Sequence, residues 1–153
     1  MGTTYKPPRA RNIFNPDTKG PFKLSRSKIE NFTRCPRCFY LDRRLGIDQP
    51  PTPPFNINSA VDHLLKKEFD VHRVPGTAHP LMKAYKIDAV PLRHKNMDIW
   101  RENFKGVQYL HEESGFLVTG AVDDIWVNPK GQFIVVDYKA TSKDSEITID
   151  AEW

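Results

Sequence analysis

Apolar residues recur at helical spacing in the first two thirds of the chain and at strand spacing in the last third. Residues 1–21 show neither periodicity and are rich in proline, glycine and polar residues, which is typical of an extended or disordered arm. Ordered structure is expected to begin near Leu24. The pattern therefore predicts an arm over residues 1–22 and a single domain over residues 23–153.

The first helical region is predicted between Leu24 and Gly46. Ser27 followed by Glu30 fits a capping box, in which the two side chains satisfy the first backbone N–H groups of a helix. Pro36 ends that helix or opens the next. The segment 48–55 contains four prolines and is predicted to be a loop.

A second helix is predicted from about Ser59 to Val71, with Asn58 or Ser59 as the N-cap. At 100° per residue, Glu68 lies close to the centre of its apolar stripe and His63 lies nearly opposite. A carboxylate on a buried face needs a partner, so Glu68 becomes a candidate site residue. The stripe consists of Ala60, Val61, Leu64, Leu65 and Phe69.

Short helices are predicted at 80–85 and 96–104, and a strand at 107–111. Four histidines lack the spacing of a metal-binding helix and are expected at the surface: His72, His79, His94 and His111.

Two strands joined by a turn at 128–131 are predicted within Gly115–Thr141. They carry Asp123 and the triplet Asp137-Tyr138-Lys139 among apolar residues. Burying charge costs several kcal/mol unless a partner or a metal compensates, so these residues indicate a site.

Strand alternation puts Asp137 and Lys139 on one face and Tyr138 on the other. A five-residue connection would set Asp123 opposite Asp137, about 5 Å apart at Cβ and close enough to share one divalent cation. A four-residue connection would place Asp124 there instead, and both registers remain open.

These residues resemble the PD-(D/E)XK nuclease superfamily, in particular its RecB-like branch, which includes CRISPR-associated exonucleases. The matching segments are Gly120-Ala121-Val122-Asp123 and Val135 to Thr141, with Asp-x-Lys at 137–139. Asp124 departs from the branch, which often has a basic residue there. The resemblance implies an α/β (α+β) fold with a restriction-endonuclease-like core, in which helices pack on a mixed sheet and an antiparallel hairpin carries the site.

The resemblance also implies roles and a cofactor. Asp123, Asp137 and the Tyr138 carbonyl would bind Mg²⁺ or Mn²⁺, and Lys139 would position or activate the attacking water. Superfamily members often add an acid from the first core helix, a role that Glu68 would take. Some RecB-like nucleases use a helix histidine instead, for which His63 is the alternative.

Cys35-Pro36-Arg37-Cys38 has the spacing of a metal-binding or redox pair, although a zinc site would need two further ligands. In RecB-like nucleases a similar Cys-Pro motif helps to hold an iron–sulfur cluster, so Cys35 and Cys38 would join such a cluster in a longer form. The alternative is two small residues packed at a helix start. Because the family core continues beyond Asp-x-Lys, a truncated chain with an incomplete sheet is expected.

The composition, 39% hydrophobic and 27% charged, is that of a globular domain, without an apolar run long enough for a membrane span. The protein is expected to be cytoplasmic. Residues 1–44 carry net charge +8 and the remainder −4, so the basic part is the expected contact for a polyanion. Its candidate phosphate-binding residues are Arg26, Lys28, Arg34, Arg37, Arg43 and Arg44.

The sequence thus predicts a metal-dependent DNA nuclease of exonuclease type, acting on single strands or duplex ends in DNA processing, repair or defence, with protein partners in a DNA-processing complex. The alternative is a non-catalytic DNA-binding or complex-assembly module on a degraded or truncated nuclease core. RNA remains open as the substrate because phosphate chemistry does not report the sugar.

Overall fold

The helices and strands belong to two compact units, each of which is made of two stretches of the chain. The computed structural model describes residues 8–50 and 56–140. Within these ranges the protein has a mixed α and β structure with five helices and two three-stranded sheets. Unit 1 comprises residues 8–50 and 95–122, and unit 2 comprises residues 56–94 and 123–140. The predicted single domain over 23–153 stays a prediction.

The elements in chain order are β1 (Phe22–Ser25), α1 (Arg26–Arg34), α2 (Pro36–Leu45), α3 (Asn56–Arg73), α4 (Pro80–Ala84), β2 (Val90–Pro91), α5 (Met97–Arg101), β3 (Val107–His111), β4 (Phe116–Gly120), β5 (Asp124–Val127) and β6 (Phe133–Val136).

Unit 1 is built on a mixed sheet in the order β1-β4-β3, in which β1 runs parallel and β3 antiparallel to β4. Pro36 opens α2, where its missing N–H costs nothing, and Gly46 caps the end of α2 in the left-handed conformation. Residues 8–21 contain no helix or strand, yet they bond to α2. The Phe14 N–H donates to the Arg43 carbonyl at 2.7 Å, and the Arg9 N–H donates to the Gly46 carbonyl at 3.0 Å.

Unit 2 is built on an antiparallel sheet in the order β2-β5-β6, with α3 and α4 as its helices. Phe69 from α3 stacks on Trp126 from β5 with ring centroids 5.3 Å apart. Met82 and Ile125 are buried with Phe69 and form the apolar core of the unit. The hairpin β5–β6 is therefore held by its own small core.

Two predicted helix starts are wrong. The first helix begins directly after β1, with Ser25 as the N-cap and no side-chain cap, so the predicted box at Ser27 does not form. The strand β1 pairs with β4 up to Ser25, and this pairing sets where the helix begins. The helix α3 begins at Asn56, before the predicted cap at Asn58 or Ser59.

The first strand predicted for the hairpin is interrupted. Its N-terminal part is β4, in the sheet of unit 1, and its C-terminal part is β5, in the sheet of unit 2. Between them the Val122 N–H donates to the Trp100 carbonyl at 3.1 Å, which draws the chain out of the strand direction. Instead of one mixed sheet there are two small sheets, and Asp123 lies just before β5 rather than inside a strand.

None of the helices in the described part of the chain combines the length and the apolar character needed to cross a membrane.

Candidate active site

The turn of the β5–β6 hairpin fixes the register of its strands. Val127 pairs with Phe133, so the connection is the five-residue segment 128–132. Asn128 Oδ1 accepts a hydrogen bond from the Gln132 N–H at 2.9 Å, which closes the turn on itself. Of the two connections that the sequence left open, the structure has the five-residue one.

This register sets two carboxylates opposite each other. The last pair of the ladder joins Asp124 to Val136, and Asp123 and Asp137 are the next residues outward. Asp137 is also among the neighbouring groups that lower the pKa of Asp123. Lys139 Nζ forms an ion pair with Asp137 Oδ2 at 2.6 Å, as expected for two residues on the same face of an extended segment.

Asp123 is held in its ionised form. Its Oδ2 accepts from the Tyr138 N–H at 2.8 Å, and its Oδ1 accepts from Lys66 Nζ at 3.1 Å. Burial is the largest influence and raises the pKa of Asp123, but the Tyr138 and Lys66 hydrogen bonds together outweigh it. The net result is a pKa below the usual value of an aspartate. A carboxylate that stays charged at neutral pH is what metal binding requires.

Lys66, on α3, bridges two acids. Its ammonium group donates to Asp62 Oδ2 at 2.8 Å as well as to Asp123. Burial lowers the pKa of Lys66, but the two carboxylates outweigh that effect and raise the pKa above the usual value. Asp62 Oδ1 is buried and has no hydrogen-bond partner within the described residues. One carboxylate oxygen of this group is therefore left without a donor among the described residues.

Asp124 is the acid of a buried ion pair. Its side chain is fully buried and accepts from Arg73 Nη2 at 2.7 and 2.8 Å and from the Tyr138 hydroxyl at 2.9 Å. The Ile125 N–H donates to the same carboxylate at 2.7 Å. These donors satisfy a charge that would be costly alone. Asp124 is thus committed to the core of unit 2, and the register leaves Asp123 as the acid opposite Asp137.

Glu68 is not where the helical pattern predicted. Its side chain is 59% exposed and pairs with His79 Nε2 at 3.0 Å. The expected burial of Glu68 is wrong because α3 is rotated about its axis relative to the predicted stripe, and Leu64 is also exposed, by 63%. The side chains of α3 that bond or pack within unit 2 are instead Asp62, Lys66, Phe69 and Arg73.

The histidines divide into two kinds. His63 is exposed. His79 was expected at the surface, but only 1% of its side chain is exposed, and its ring stacks on Phe69 at 4.1 Å. His79 also caps α4, because its Nδ1 accepts from the Leu81 N–H at 3.1 Å.

The donor chemistry of this group fits a hard cation. Carboxylates of Asp62, Asp123 and Asp137 and the Tyr138 carbonyl are the oxygen ligands that Mg²⁺ and Mn²⁺ prefer. Within residues 8–50 and 56–140, however, no three His, Cys, Asp or Glu side chains are gathered closely enough to hold an ion as they stand. The Lys66 ammonium already bridges two of the acids, so a divalent cation at that point would have to displace it.

Two of the six basic residues proposed for phosphate binding pair with a buried acid within unit 1. Only 4% of the Arg43 side chain is exposed, and it pairs with buried Asp42, so its assignment to phosphate binding is wrong. Lys28 pairs with the same carboxylate at 2.7 Å. The positions of the basic residues in the sequence do not show that Lys28 and Arg43 are paired, because their partner Asp42 lies within the same basic segment. The four exposed basic residues are Arg26, Arg34, Arg37 and Arg44.

Cys35 and Cys38 form a disulfide at the junction of α1 and α2. Cys35 is the N-cap of α2, and its sulfur accepts from the Cys38 N–H at 3.2 Å. In the disulfide neither sulfur is a thiolate, so metal binding by this pair requires reduction. The predicted role in an iron–sulfur cluster stays a prediction for the reduced protein.

No protein-family model, curated protein or solved structure matches the chain.

Proposed function

We propose that the protein is a metal-dependent nuclease that hydrolyses phosphodiester bonds in DNA. The observation that carries the proposal is the hairpin register, which sets Asp123 opposite Asp137 with Lys139 beside it. Two acids and a lysine on adjoining strand ends are the group of side chains that the PD-(D/E)XK resemblance requires. The hairpin and α3 would form part of a restriction-endonuclease-like core.

In this proposal the acids hold the cation and the lysine acts on the water. Asp123, Asp137 and the Tyr138 carbonyl would bind Mg²⁺ or Mn²⁺, which when bound polarises the phosphate and lowers the pKa of a coordinated water. Asp62 shares Lys66 with Asp123. It is therefore a better candidate than Glu68, whose side chain points to solvent, for the acid that the first core helix adds to the metal site.

Lys139 is suited to the phosphate. Its side chain is 54% exposed, so it can exchange its ion pair with Asp137 for contacts with a substrate. An ammonium group there would orient the attacking water and stabilise the charge that develops on the phosphate oxygens. Single strands or duplex ends are the expected substrate, and the exposed arginines of unit 1 are the proposed contacts to the backbone phosphates.

The test is cleavage of a labelled DNA oligonucleotide by the chain with Mn²⁺ or with EDTA. We expect Lys139→Ala to lower the rate by about 100-fold or more, because removal of one group that stabilises a transition-state charge has that effect. Lys130→Ala, at an exposed lysine in the turn of the same hairpin, is the matched control and should keep the rate.

Metal uptake gives a second readout. Titration calorimetry with Mn²⁺ should show binding by the wild type and by Asp88→Asn, an exposed acid of unit 2, and no binding by Asp123→Asn. If the wild type neither cuts with Mn²⁺ nor takes it up, the nuclease proposal fails.

The second candidate function is a non-catalytic DNA-binding or complex-assembly module on a degraded nuclease core. The observation that favours it is the Lys66 bridge, in which a side chain of the protein compensates part of the negative charge of Asp62 and Asp123. In that case the protein would bind oligonucleotides with a steep salt dependence, equally well in Mn²⁺ and in EDTA, and would cut none.

A further inference from the structure

A cavity of about 260 Å³ opens beside the candidate active site, within unit 2. Phe69 and Met82, both almost completely buried, contribute to its walls. Trp126 also lines it and stacks on Phe69 with an interplanar angle of 15°. Apolar and aromatic walls of this kind favour a flat, weakly hydrated group.

The same cavity is lined by charged residues of the candidate site. Asp137 and Lys139 contribute to its lining, and their ion pair leaves both side chains more than half exposed. A ligand that fills the cavity therefore meets an ammonium group at the cavity lining. The complementary ligand combines a flat apolar part with an adjacent negative charge.

We propose that this cavity receives a nucleobase whose attached phosphate lies at Lys139. The inference rests on the proposed nuclease function and extends it by assigning a base-binding site. Pockets for drug-sized ligands span roughly 300–1,000 Å³, so a cavity slightly below that range suits a single ring system. Tyr85, in the lining and 74% exposed, offers a ring on which the base stacks.

The first experiment compares two small probes in EDTA, so that neither metal nor cleavage enters. We expect deoxyadenosine monophosphate to bind the full chain about tenfold more tightly than 2-deoxyribose 5-phosphate, which lacks the base, by titration calorimetry. Tyr85→Ala should remove most of that difference. Tyr109→Ala, at a 66% exposed tyrosine of unit 1, should preserve it. Equal affinities for the two probes, or a difference that survives Tyr85→Ala, overturn the inference.

A second variant and a second substrate separate this inference from the nuclease proposal. Leu81→Trp, at a 42% exposed residue of the lining, should block the cavity and weaken binding of the nucleotide without affecting the sugar phosphate. An oligonucleotide with a single abasic position distinguishes a base within a strand from a free nucleotide, and it should be cut several-fold more slowly at that position. An equal cleavage rate at the abasic position and at the normal position overturns the proposal of the base site alone. If the protein binds the nucleotide more tightly than the sugar phosphate but does not cut DNA with Mn²⁺, only the nuclease proposal is overturned.

Discussion

Each unit of the protein contains a cluster of acids and bases, and the two clusters differ in balance and exposure. In unit 1 a single carboxylate, Asp42, is 2% exposed and is met by Arg9, Lys28 and Arg43. In unit 2 three carboxylates share Lys66 and Lys139, and the side chains of the cluster are 21% to 63% exposed.

The difference separates a structural cluster from a candidate binding site. Asp42 is surrounded by more positive charge than it needs and is sealed from solvent, so it has nothing further to bind. The acids of unit 2 outnumber their lysines, and one of their oxygens lacks a donor within the described residues. Excess negative charge at an accessible position attracts a cation, which is why the metal is proposed there.

Removal of the Asp42 charge should have the largest effect on stability. Asp42→Asn leaves the buried Arg43 guanidinium without its carboxylate, and breaking a buried ion pair costs about 3–5 kcal/mol. Urea denaturation followed by circular dichroism should show a loss of about that size. Asp48→Asn, at a 41% exposed acid that also pairs with Arg9, is the control and should cost less than about 1 kcal/mol. Equal losses would mean that burial does not distinguish the two acids.

The neighbouring acids Asp123 and Asp124 of unit 2 should differ in their roles, with Asp124 contributing to stability and Asp123 to metal binding. Asp124→Asn weakens the buried pair with Arg73 and should cost about 2–3 kcal/mol in free energy of unfolding. Asp123→Asn should cost less than about 1 kcal/mol, because its pair with Lys66 is partly exposed. Urea denaturation of both variants, together with Mn²⁺ titration of Asp123→Asn, tests this difference between the two acids. A larger loss of stability in Asp123→Asn would reverse it.

Low pH should remove the contribution of Asp42 to the free energy of unfolding. Burial is the largest influence and raises its pKa, but hydrogen bonds and charge from Lys28 and Arg43 outweigh it, so the pKa of Asp42 is lowered. A carboxyl whose pKa is lower folded than unfolded stabilises the protein above its unfolded pKa of about 3.9, and this contribution disappears as the pH falls through the folded value. The unfolding free energies of the wild type and Asp42→Asn should therefore differ at pH 7 and converge toward pH 2. A constant difference would contradict the ion-pair account.

Glu68→Gln should have the smallest effect. The side chain is mostly exposed, so the free energy of unfolding should change by less than about 0.5 kcal/mol. Because Glu68 faces away from the acids, the cleavage rate should also stay within about twofold of wild type. A loss as large as that expected of Lys139→Ala would restore Glu68 as the helix acid in place of Asp62.

Local rules were sufficient for the hairpin. Strand alternation and the residues of the turn predicted β6 and the shared face of Asp137 and Lys139, whereas the choice between a four- and a five-residue connection came only from the structure. Likewise Pro36 and Gly46 marked the start and the end of α2, because a missing N–H and a left-handed backbone are properties of single residues.

The α3 face could not be predicted by the same rules. Hydrophobic periodicity assigns polar residues to the solvent side, whereas Lys66 and Arg73 turn inward to acids more than fifty residues away in sequence. A signal was present, since Asp62, Lys66, Phe69 and Arg73 recur at spacings of four, three and four residues, which is one helical stripe. Arg43 was misassigned for a related reason, because charge counting does not reveal whether a partner is buried.

Tyr138 binds both neighbouring acids through different groups. Its backbone N–H holds Asp123, and its hydroxyl holds Asp124. Only the second bond depends on which amino acid occupies the position, since every residue except proline has the backbone donor. Replacement of Tyr138 by any residue except proline would therefore remove the hydroxyl bond to buried Asp124 in the interior of unit 2 but keep the backbone bond that orients Asp123.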